Sequence, residues 1–144
     1  MVIVVTGTPG VGKTTYARKL GDELERPVLS VTDLCAQAGL SEEWDAANQC
    51  FLVDVEALEE LLVERAQANS EVIIEGHLSH ELPPRFVERC VVLKCSLPEL
   101  KKRLEAREYS AAKVRENLDC EIFDVCFSEA LERGHEPEVV WTSD

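Results

Sequence analysis

The chain has 144 residues, a length that suits one domain with a hydrophobic core of its own. Its formal net charge of −13 argues against broad binding of nucleic acid, because an acidic surface repels phosphates. No apolar run approaches the ~20 residues that span a bilayer, and no basic, apolar leader opens the chain, so we expect an intracellular, cytoplasmic protein that binds no membrane.

The first predicted element is a strand over the β-branched run Val2–Thr6. The segment Gly7–Thr14 follows it directly and fits the pattern G-x-x-x-x-G-K-[ST] of a phosphate-binding P-loop. Residues 15–24 then have the pattern of a helix. A strand, a glycine-rich loop and a helix in this order are the context that the motif requires. This context favours a P-loop over a glycine turn that merely opens a helix.

Each residue type in this loop suits phosphate chemistry. Gly10 and Gly12 leave no Cβ between the backbone amides and a phosphate group. Lys13 can place an ammonium on the β- and γ-phosphates, and the Thr14 hydroxyl can bind Mg²⁺. Thr15, one residue further, can reach the α-phosphate. We therefore expect the loop to bind nucleotide phosphates together with Mg²⁺.

The next part of the chain is less regular. A second strand is predicted over Pro27–Val31, and a short helix capped by Thr32 extends through Ala38. Residues 39–53 fit no regular pattern and carry an acidic stretch around Trp44. Such a segment within a compact domain is either a functional insertion or a solvated loop, and the sequence leaves both open.

The third predicted strand ends in a second candidate for the functional site. A helix capped by Asp54 precedes it, and the strand itself covers Glu71–Glu75. Glu75 then stands at the carboxyl end of an apolar strand, where open α/β sheets bind ligands. There it can hold Mg²⁺ through water, and His77 can contact a phosphate or position a nucleophile. The alternative is that Glu75 is a surface residue at a strand end and His77 an ordinary loop histidine.

The rest of the chain alternates between strand and helix patterns. The predicted elements are a strand over Cys90–Lys94, a helix from Ser96 to about Arg107, one long helix from Ser110 to Gly134 and a strand over Glu138–Thr142. Five β segments separated by helices predict a parallel sheet with right-handed crossovers. We therefore expect one α/β domain over residues 1–144.

A group of basic residues stands out in this acidic chain. Its members are Lys101, Lys102, Arg103, Arg107, Lys113 and Arg115. Guanidinium groups can stabilise the charge on a phosphoryl group in transfer. Because acidic residues are interleaved, the group can equally be the solvated face of a helix with ion pairs. We favour a functional role for Arg107, which stands at a break between two predicted helices.

Together, these segments resemble the adenylate kinase isoenzyme 6 type of nucleoside monophosphate kinase, in particular its archaeal members. The resemblance rests on three segments, Thr6–Thr15, Glu75–His80 and Arg107–Ser110. It also includes Lys113, Glu116, Asn117 and the run Cys120–Phe123. Many families share the P-loop alone. A strand that ends in acid-Gly-His-Leu-Ser-His, followed by Arg-x-Tyr-Ser, is far more specific.

The resemblance implies a three-layer P-loop NTPase fold with a five-stranded parallel sheet in the order 2-3-1-4-5. It implies transfer of the ATP γ-phosphate to AMP or another nucleoside monophosphate, a monophosphate-binding segment near 30–53 and a lid near 106–116. The residues implied to bind ATP are Gly10, Val11, Gly12, Lys13, Thr14, Thr15 and the lid residue Arg107. Those implied in catalysis are Lys13, Glu75, His77 and Arg107, with Thr14 and Glu75 as the Mg²⁺ ligands.

Two positions depart from the family pattern. Glu75 stands where the family usually has Asp, and its side chain is longer by one bond of about 1.5 Å. Glu108 stands where Gly is usual, in the predicted lid hinge. We expect the first difference to affect the placement of Mg²⁺ and the second to stiffen the lid.

Two other functions stay open at this point. Eukaryotic relatives resemble ribosome assembly factors, and an ATPase that binds a basic small-subunit ribosomal protein would suit an acidic surface. In that case residues 39–53, including Glu42 and Glu43, would form a docking surface instead of an acceptor pocket. The same fold also serves kinases of other small acceptors, such as a sugar or a shikimate-like acid.

Overall fold

The computed structural model of the protein describes residues 1–40, 43–45, 50–52 and 54–143. The strands among them are β1 (Val2–Gly7), β2 (Val28–Ser30), β3 (Glu43–Asp45), β4 (Cys50–Leu52), β5 (Ile73–Glu75), β6 (Val87–Lys94) and β7 (Pro137–Trp141). The α-helices among them are α1 (Lys13–Leu24), α2 (Val31–Ala38), α3 (Val55–Ala68), α4 (Leu97–Ala106), α5 (Ala111–Ile122) and α6 (Val125–Glu132). None of the helices described is long and apolar enough to cross a bilayer.

Five strands form one parallel sheet in the order β2-β5-β1-β6-β7. Numbered among the parallel strands alone, this is the order 2-3-1-4-5 that the resemblance implied, and the prediction is confirmed. The central strand β1 is buried along its whole length, as expected for a continuous apolar run with helices on both faces. Its register places Val5 beside Glu75 of β5 and Gly7 beside Leu93 of β6. The P-loop and the end of β5 therefore meet at the same edge of the sheet.

Two apolar cores cover the two faces of the sheet. Successive side chains of a strand point to opposite faces, so the residues of β1 divide between the cores. One core contains Val2 and Val4 with buried residues of α2, α3 and α6. The other contains Ile3 and Val5 with buried residues of α1, α4 and α5. This arrangement of helix, sheet and helix is the predicted three-layer architecture.

Two predicted helix boundaries are wrong. The helix after β2 begins at Val31, and Ser30 caps it by accepting a hydrogen bond from the Asp33 backbone N–H; Thr32 lies inside the helix. The predicted long helix from 110 to 134 is two helices, α5 and α6. Asp124 separates them with φ +50° and forms an ion pair with Lys94 of β6. A short polar residue tolerates this left-handed conformation, and a helical pattern alone does not reveal it.

The segment predicted to be irregular contains a small sheet of its own. Strands β3 and β4 pair antiparallel, with Trp44 opposite Phe51 in the register. Glu43 belongs to β3, whereas Glu42 lies outside the described residues, as do 41, 46–49 and 53. Strand β6 is also longer than predicted, because it continues back to Val87 beside the start of β1.

Candidate active site

The P-loop connects β1 to α1 through backbone conformations that favour glycine. Gly10 has φ +98° and Gly12, the residue before α1, has φ +97°. A Cβ on Gly10 would come within 3.0 Å of Leu100 and Leu104 of α4. The loop thus packs tightly against α4, and its geometry requires glycine for reasons of conformation and of space. Val11 has its side chain in the core, and its N–H donates to Thr8 O at 3.2 Å.

Lys13 occupies the centre of the loop. Its ammonium donates to Gly7 O at 2.9 Å and to Thr8 O at 3.2 Å. Burial lowers the pKa of Lys13 to about 8; nearby acidic groups, Glu75 among them, oppose this shift. Phosphate oxygens favour the charged form of a lysine, so an incoming anion would exchange the carbonyl partners for stronger ones.

Thr14 and Glu75 come together from distant parts of the chain. The Thr14 hydroxyl donates to Glu75 Oε1 at 3.3 Å. The parallel pairing of β1 with β5 places Glu75 there, with only 6% of the residue exposed. A hydroxyl and a carboxylate are hard oxygen donors of the kind that Mg²⁺ prefers. The pair therefore fits the magnesium site that the sequence predicts.

His77 follows Gly76 at the end of β5 and carries no charge at neutral pH. Burial lowers the pKa of His77 to about 4, and the positive charge of Lys13 adds to this effect. Its Nδ1 lies 3.6 Å from Cys126 Sγ, and its backbone carbonyl accepts a hydrogen bond from Thr6. A neutral imidazole near Lys13 can donate or accept a hydrogen bond, and it adds no positive charge to the site.

The candidate active site is a cavity of about 780 Å³ at the carboxyl edge of the sheet. It brings together most of the residues that the sequence singles out. Those that line it are Gly10, Gly12, Lys13, Thr14, Thr15, Glu75, His77 and Arg107. Val11 is the only predicted site residue that does not line the cavity. The clustering supports the site prediction without testing the role of any one residue.

The residues of the basic group lie in different parts of the structure. Arg107 ends α4 and lines the cavity, as does Lys113 of α5. Arg103 points to the back of the P-loop, where Nη1 lies 3.4 Å from Gly10 O. Arg115 forms an exposed ion pair with Asp119 at 3.1 Å, and the two lysines at 101 and 102 are exposed. Arg107 and Lys113 are thus the two members of the group placed to meet a ligand in this cavity.

Several cavity residues lie in segments that the sequence analysis marks without giving the residues themselves a site role. Ser30, Thr32 and Asp33 line the cavity from the start of α2. Their position directly after β2, at the carboxyl edge of the sheet, is the signal that would have identified them. The face of α5 with Lys113 and Asn117, two of the residues that carry the family resemblance, also lines the cavity.

Two buried polar side chains support the P-loop from behind. Glu121 of α5 accepts hydrogen bonds from the Thr8 hydroxyl at 3.5 Å and from the Cys95 backbone N–H at 3.0 Å. Burial raises the pKa of the Glu121 carboxyl. His80 lies 2.8 Å from the Thr6 hydroxyl and 2.9 Å from a Glu129 carboxylate oxygen. These contacts join the loop to α5 and α6, far along the chain.

Comparison with known proteins identifies the family. An AAA domain family model, AAA_18, matches residues 3–124. A protein of Methanocaldococcus jannaschii named "Putative adenylate kinase" is 38% identical over 136 residues, which cover 94% of this chain and 75% of that protein. The chain belongs to this adenylate kinase family. A second member with the same name, from Pyrococcus furiosus, is 38% identical over 132 residues, with 92% and 69% of the two chains covered.

Solved structures of kinases share the fold at low sequence identity. The shikimate kinase of Bacteroides thetaiotaomicron has a TM-score of 0.66 and 19% identity, with 99% of this chain and 86% of that chain covered. A gluconokinase from Sinorhizobium meliloti has a TM-score of 0.59 and 15% identity, with 98% and 82% covered. The family and the fold make the chain a P-loop nucleotide kinase. The names of the relatives give no support to the alternative of a ribosome-assembly ATPase.

Proposed function

We propose that the protein transfers the γ-phosphate of ATP to AMP, or to a closely related nucleoside monophosphate, with Mg²⁺. The observation that carries the proposal is the convergence of Lys13, Thr14, Glu75 and Arg107 on one cavity. These are the parts that phosphoryl transfer requires: a phosphate cradle, a magnesium site and a mobile positive charge. The family name of the archaeal relatives supports the same reaction.

The donor end of the site is built on the P-loop. The loop amides and the positive end of the α1 dipole would hold the phosphates of ATP, with Lys13 on the β- and γ-phosphates. Thr14 and Glu75 would hold Mg²⁺, directly or through water, as their contact suggests. The ion would neutralise charge on the transferring group. Arg107, exposed and at the cavity rim, would add a planar guanidinium to the same group.

The acceptor end reaches the start of α2. Ser30, Thr32 and Asp33 supply hydroxyl and carboxylate groups there, within the segment 30–53 that the family resemblance assigns to the monophosphate. The acceptor's own phosphate oxygen is the nucleophile, so the reaction needs no strong base. His77, neutral beside Lys13, suits a role in positioning that oxygen. Catalysis then rests on positioning and electrostatics.

The lid in this proposal is the break between α4 and α5. Arg107, at the end of α4, and Tyr109 both line the cavity. Glu108 between them has φ +60°. A small rotation about this break would move the Arg107 guanidinium relative to the P-loop while α4 and α5 keep their packing. The lid of residues 106–116 is therefore short and built into the helical layer.

The test is a screen of acceptors with purified protein, ATP and Mg²⁺. AMP, CMP, UMP and GMP are offered in turn, with shikimate and gluconate as the acceptors of other kinases of this fold. Chromatography separates the nucleotide products. We expect ADP to form with AMP far faster than with either acid. Rapid phosphorylation of shikimate or gluconate, with none of any monophosphate, would overturn the proposal.

A further inference from the structure

Lys113 is a buried lysine with no ion-pair partner among the described residues. Only 8% of the residue is exposed, yet it lines the same cavity as Lys13 and Arg107. Within residues 1–40 and 54–143, no carboxylate forms an ion pair with its ammonium, although Glu116 stands one turn further along α5. The Lys113 backbone N–H donates a hydrogen bond to the Ser110 hydroxyl.

This position is unfavourable for a positive charge on two physical grounds. The side chain has little contact with water outside the cavity, and no carboxylate of the described residues forms an ion pair with it. Lys113 is also the third residue of α5, in the first helical turn, where the helix dipole repels cations. The remaining lysines outside the P-loop avoid both costs. Lys94 pairs with Asp124, and those at 19, 101 and 102 are exposed.

The same two features become favourable once an anion enters the cavity. A helix N-terminus and an ammonium both attract phosphate, and the P-loop combines them in Lys13, the first residue of α1. Lys113 repeats the combination on a different helix of the same cavity. The cavity thus presents two helix N-termini with a lysine each, and Arg18 and Arg107 as two further cations.

We propose that Lys113 is a phosphate-binding residue of this site, whose ammonium donates to an oxygen of a nucleotide phosphate. The proposal rests on the proposed function, because a nucleotide kinase brings two phosphate groups into this cavity. The phosphate can belong to the donor, as the γ-phosphate of ATP, or to the acceptor monophosphate. The chemistry of recognition is the same for both, and binding measurements separate them.

The experiment compares Lys113→Met, which keeps the length and removes the charge, with Lys113→Arg and the control Lys19→Met. Lys19 is exposed on α1 and does not line the cavity. Thermal unfolding is measured without ligand, and calorimetry measures the binding of a non-hydrolysable ATP analogue and of AMP separately. We expect Lys113→Met to unfold at the same temperature as the wild type or higher. Its affinity for one nucleotide should fall by about 10- to 100-fold.

Each outcome has a defined meaning. Weaker binding of the ATP analogue assigns Lys113 to the donor, and weaker binding of AMP assigns it to the acceptor. Lys113→Arg is expected to recover most of the lost affinity, and Lys19→Met should bind both nucleotides normally. Unchanged binding and turnover in Lys113→Met would overturn the proposal while the kinase function stands. So would an unfolding temperature well below that of the control, since it would reveal a structural role.

A failure of the proposed function gives a different result. If the wild-type protein phosphorylates no monophosphate, the binding of tripolyphosphate to the wild type and to Lys113→Met tests the role of Lys113. Loss of that binding in Lys113→Met would support a phosphate site in a protein with another acceptor. Unchanged binding would overturn the proposal for Lys113 as well.

Discussion

The Thr14 hydroxyl lies 3.3 Å from Glu75 Oε1, and this contact joins the P-loop to the end of β5 across 61 residues of sequence. Two segments that the sequence marks independently thus meet in one polar pair. The pairing of Val5 with Glu75 in the parallel sheet fixes their approach. The contact places the predicted magnesium ligands side by side before any ion binds.

The role of Glu75 can be tested by removing its charge and keeping its shape. Glu75→Gln retains a side-chain oxygen for the Thr14 hydroxyl but provides a much weaker ligand for Mg²⁺. We expect kcat to fall about 100-fold and the Mg²⁺ concentration for half-maximal rate to rise about tenfold. Titration of the rate with Mg²⁺ measures both. Glu75→Asp, which restores the residue usual in the family, should stay within about tenfold of the wild type. A Gln variant with the wild-type Mg²⁺ dependence would exclude Glu75 as a ligand.

Binding of ATP should be coupled to protonation of Lys13. The pKa of Lys13 is lowered to about 8 by burial, and phosphate oxygens stabilise the ammonium. At pH 8.5 much of the free protein then carries neutral Lys13, and ATP binding should take up roughly 0.7 proton. Calorimetry in two buffers with different ionisation enthalpies measures this uptake. Near pH 6.5, where Lys13 is already charged, the uptake from Lys13 should vanish. Identical binding enthalpies in both buffers at pH 8.5 would contradict the lowered pKa.

His77 should make stability fall at mildly acidic pH. Its pKa is about 4 in the folded protein and near 6.5 when unfolded, so the unfolded chain binds more protons between these values. The corresponding stability is complete above pH 6.5 and is lost as the pH falls to 4, by up to about 3 kcal/mol. Denaturant unfolding at several pH values should show a shallower decline for His77→Gln. An unchanged slope would mean that His77 is not buried as neutral imidazole.

Arg107 should contribute to turnover through its charge. The guanidinium lines the cavity at the end of α4. We expect Arg107→Met to lower kcat by about 10- to 100-fold, because a planar cation near the transferring group is lost. Arg115→Met is the matched control, since Arg115 is exposed and pairs with Asp119 outside the cavity. Its kcat should stay within about twofold of the wild type. Equal effects of the two changes would remove the special role of Arg107.

Glu108 stores backbone strain at the break between α4 and α5, where we propose the hinge of the lid. It has φ +60°, a conformation that glycine adopts without cost and other L-residues adopt at about 1–2 kcal/mol. Glu108→Gly should therefore raise the free energy of unfolding by about 1 kcal/mol. Glu105→Gly, three residues earlier within α4, should lower it by about the same amount. Denaturant unfolding compares the two variants. A destabilised Glu108→Gly would show that the side chain contributes more than the strain costs.

The fold class and part of the candidate site can be predicted from patterns in the sequence. The P-loop has a fixed spacing, and a continuous apolar strand such as β1 indicates a parallel sheet, so local chemistry specified the fold class. The approach of Glu75 to the P-loop could also be predicted, because Glu75 ends a strand that the strand order implied by the family resemblance places beside β1. These predictions rest on short-range signals and on the strand order that the family resemblance implies.

The remaining features depend on tertiary context. Helix periodicity runs through Asp124, so the break between α5 and α6 becomes visible only with the partner Lys94. The sequence marks Lys113 as a member of the basic group and of the implied lid, but its burial follows only from the packing of α5 against the cavity. Glu121 likewise acquires its role from Thr8 and Cys95, which lie elsewhere in the chain. Long-range contacts of this kind carry no local signature.

The most direct test of the account measures the stoichiometry of the reaction. Purified wild-type protein and Lys13→Met are incubated with ATP and Mg²⁺, with and without AMP, and ADP and inorganic phosphate are quantified. A nucleoside monophosphate kinase should form two ADP per ATP consumed, and only when AMP is present; the rate should be at least about 100-fold lower in Lys13→Met. Release of phosphate from ATP at the same rate with or without AMP would contradict this function, because the cavity would then hold a hydrolase and no acceptor site.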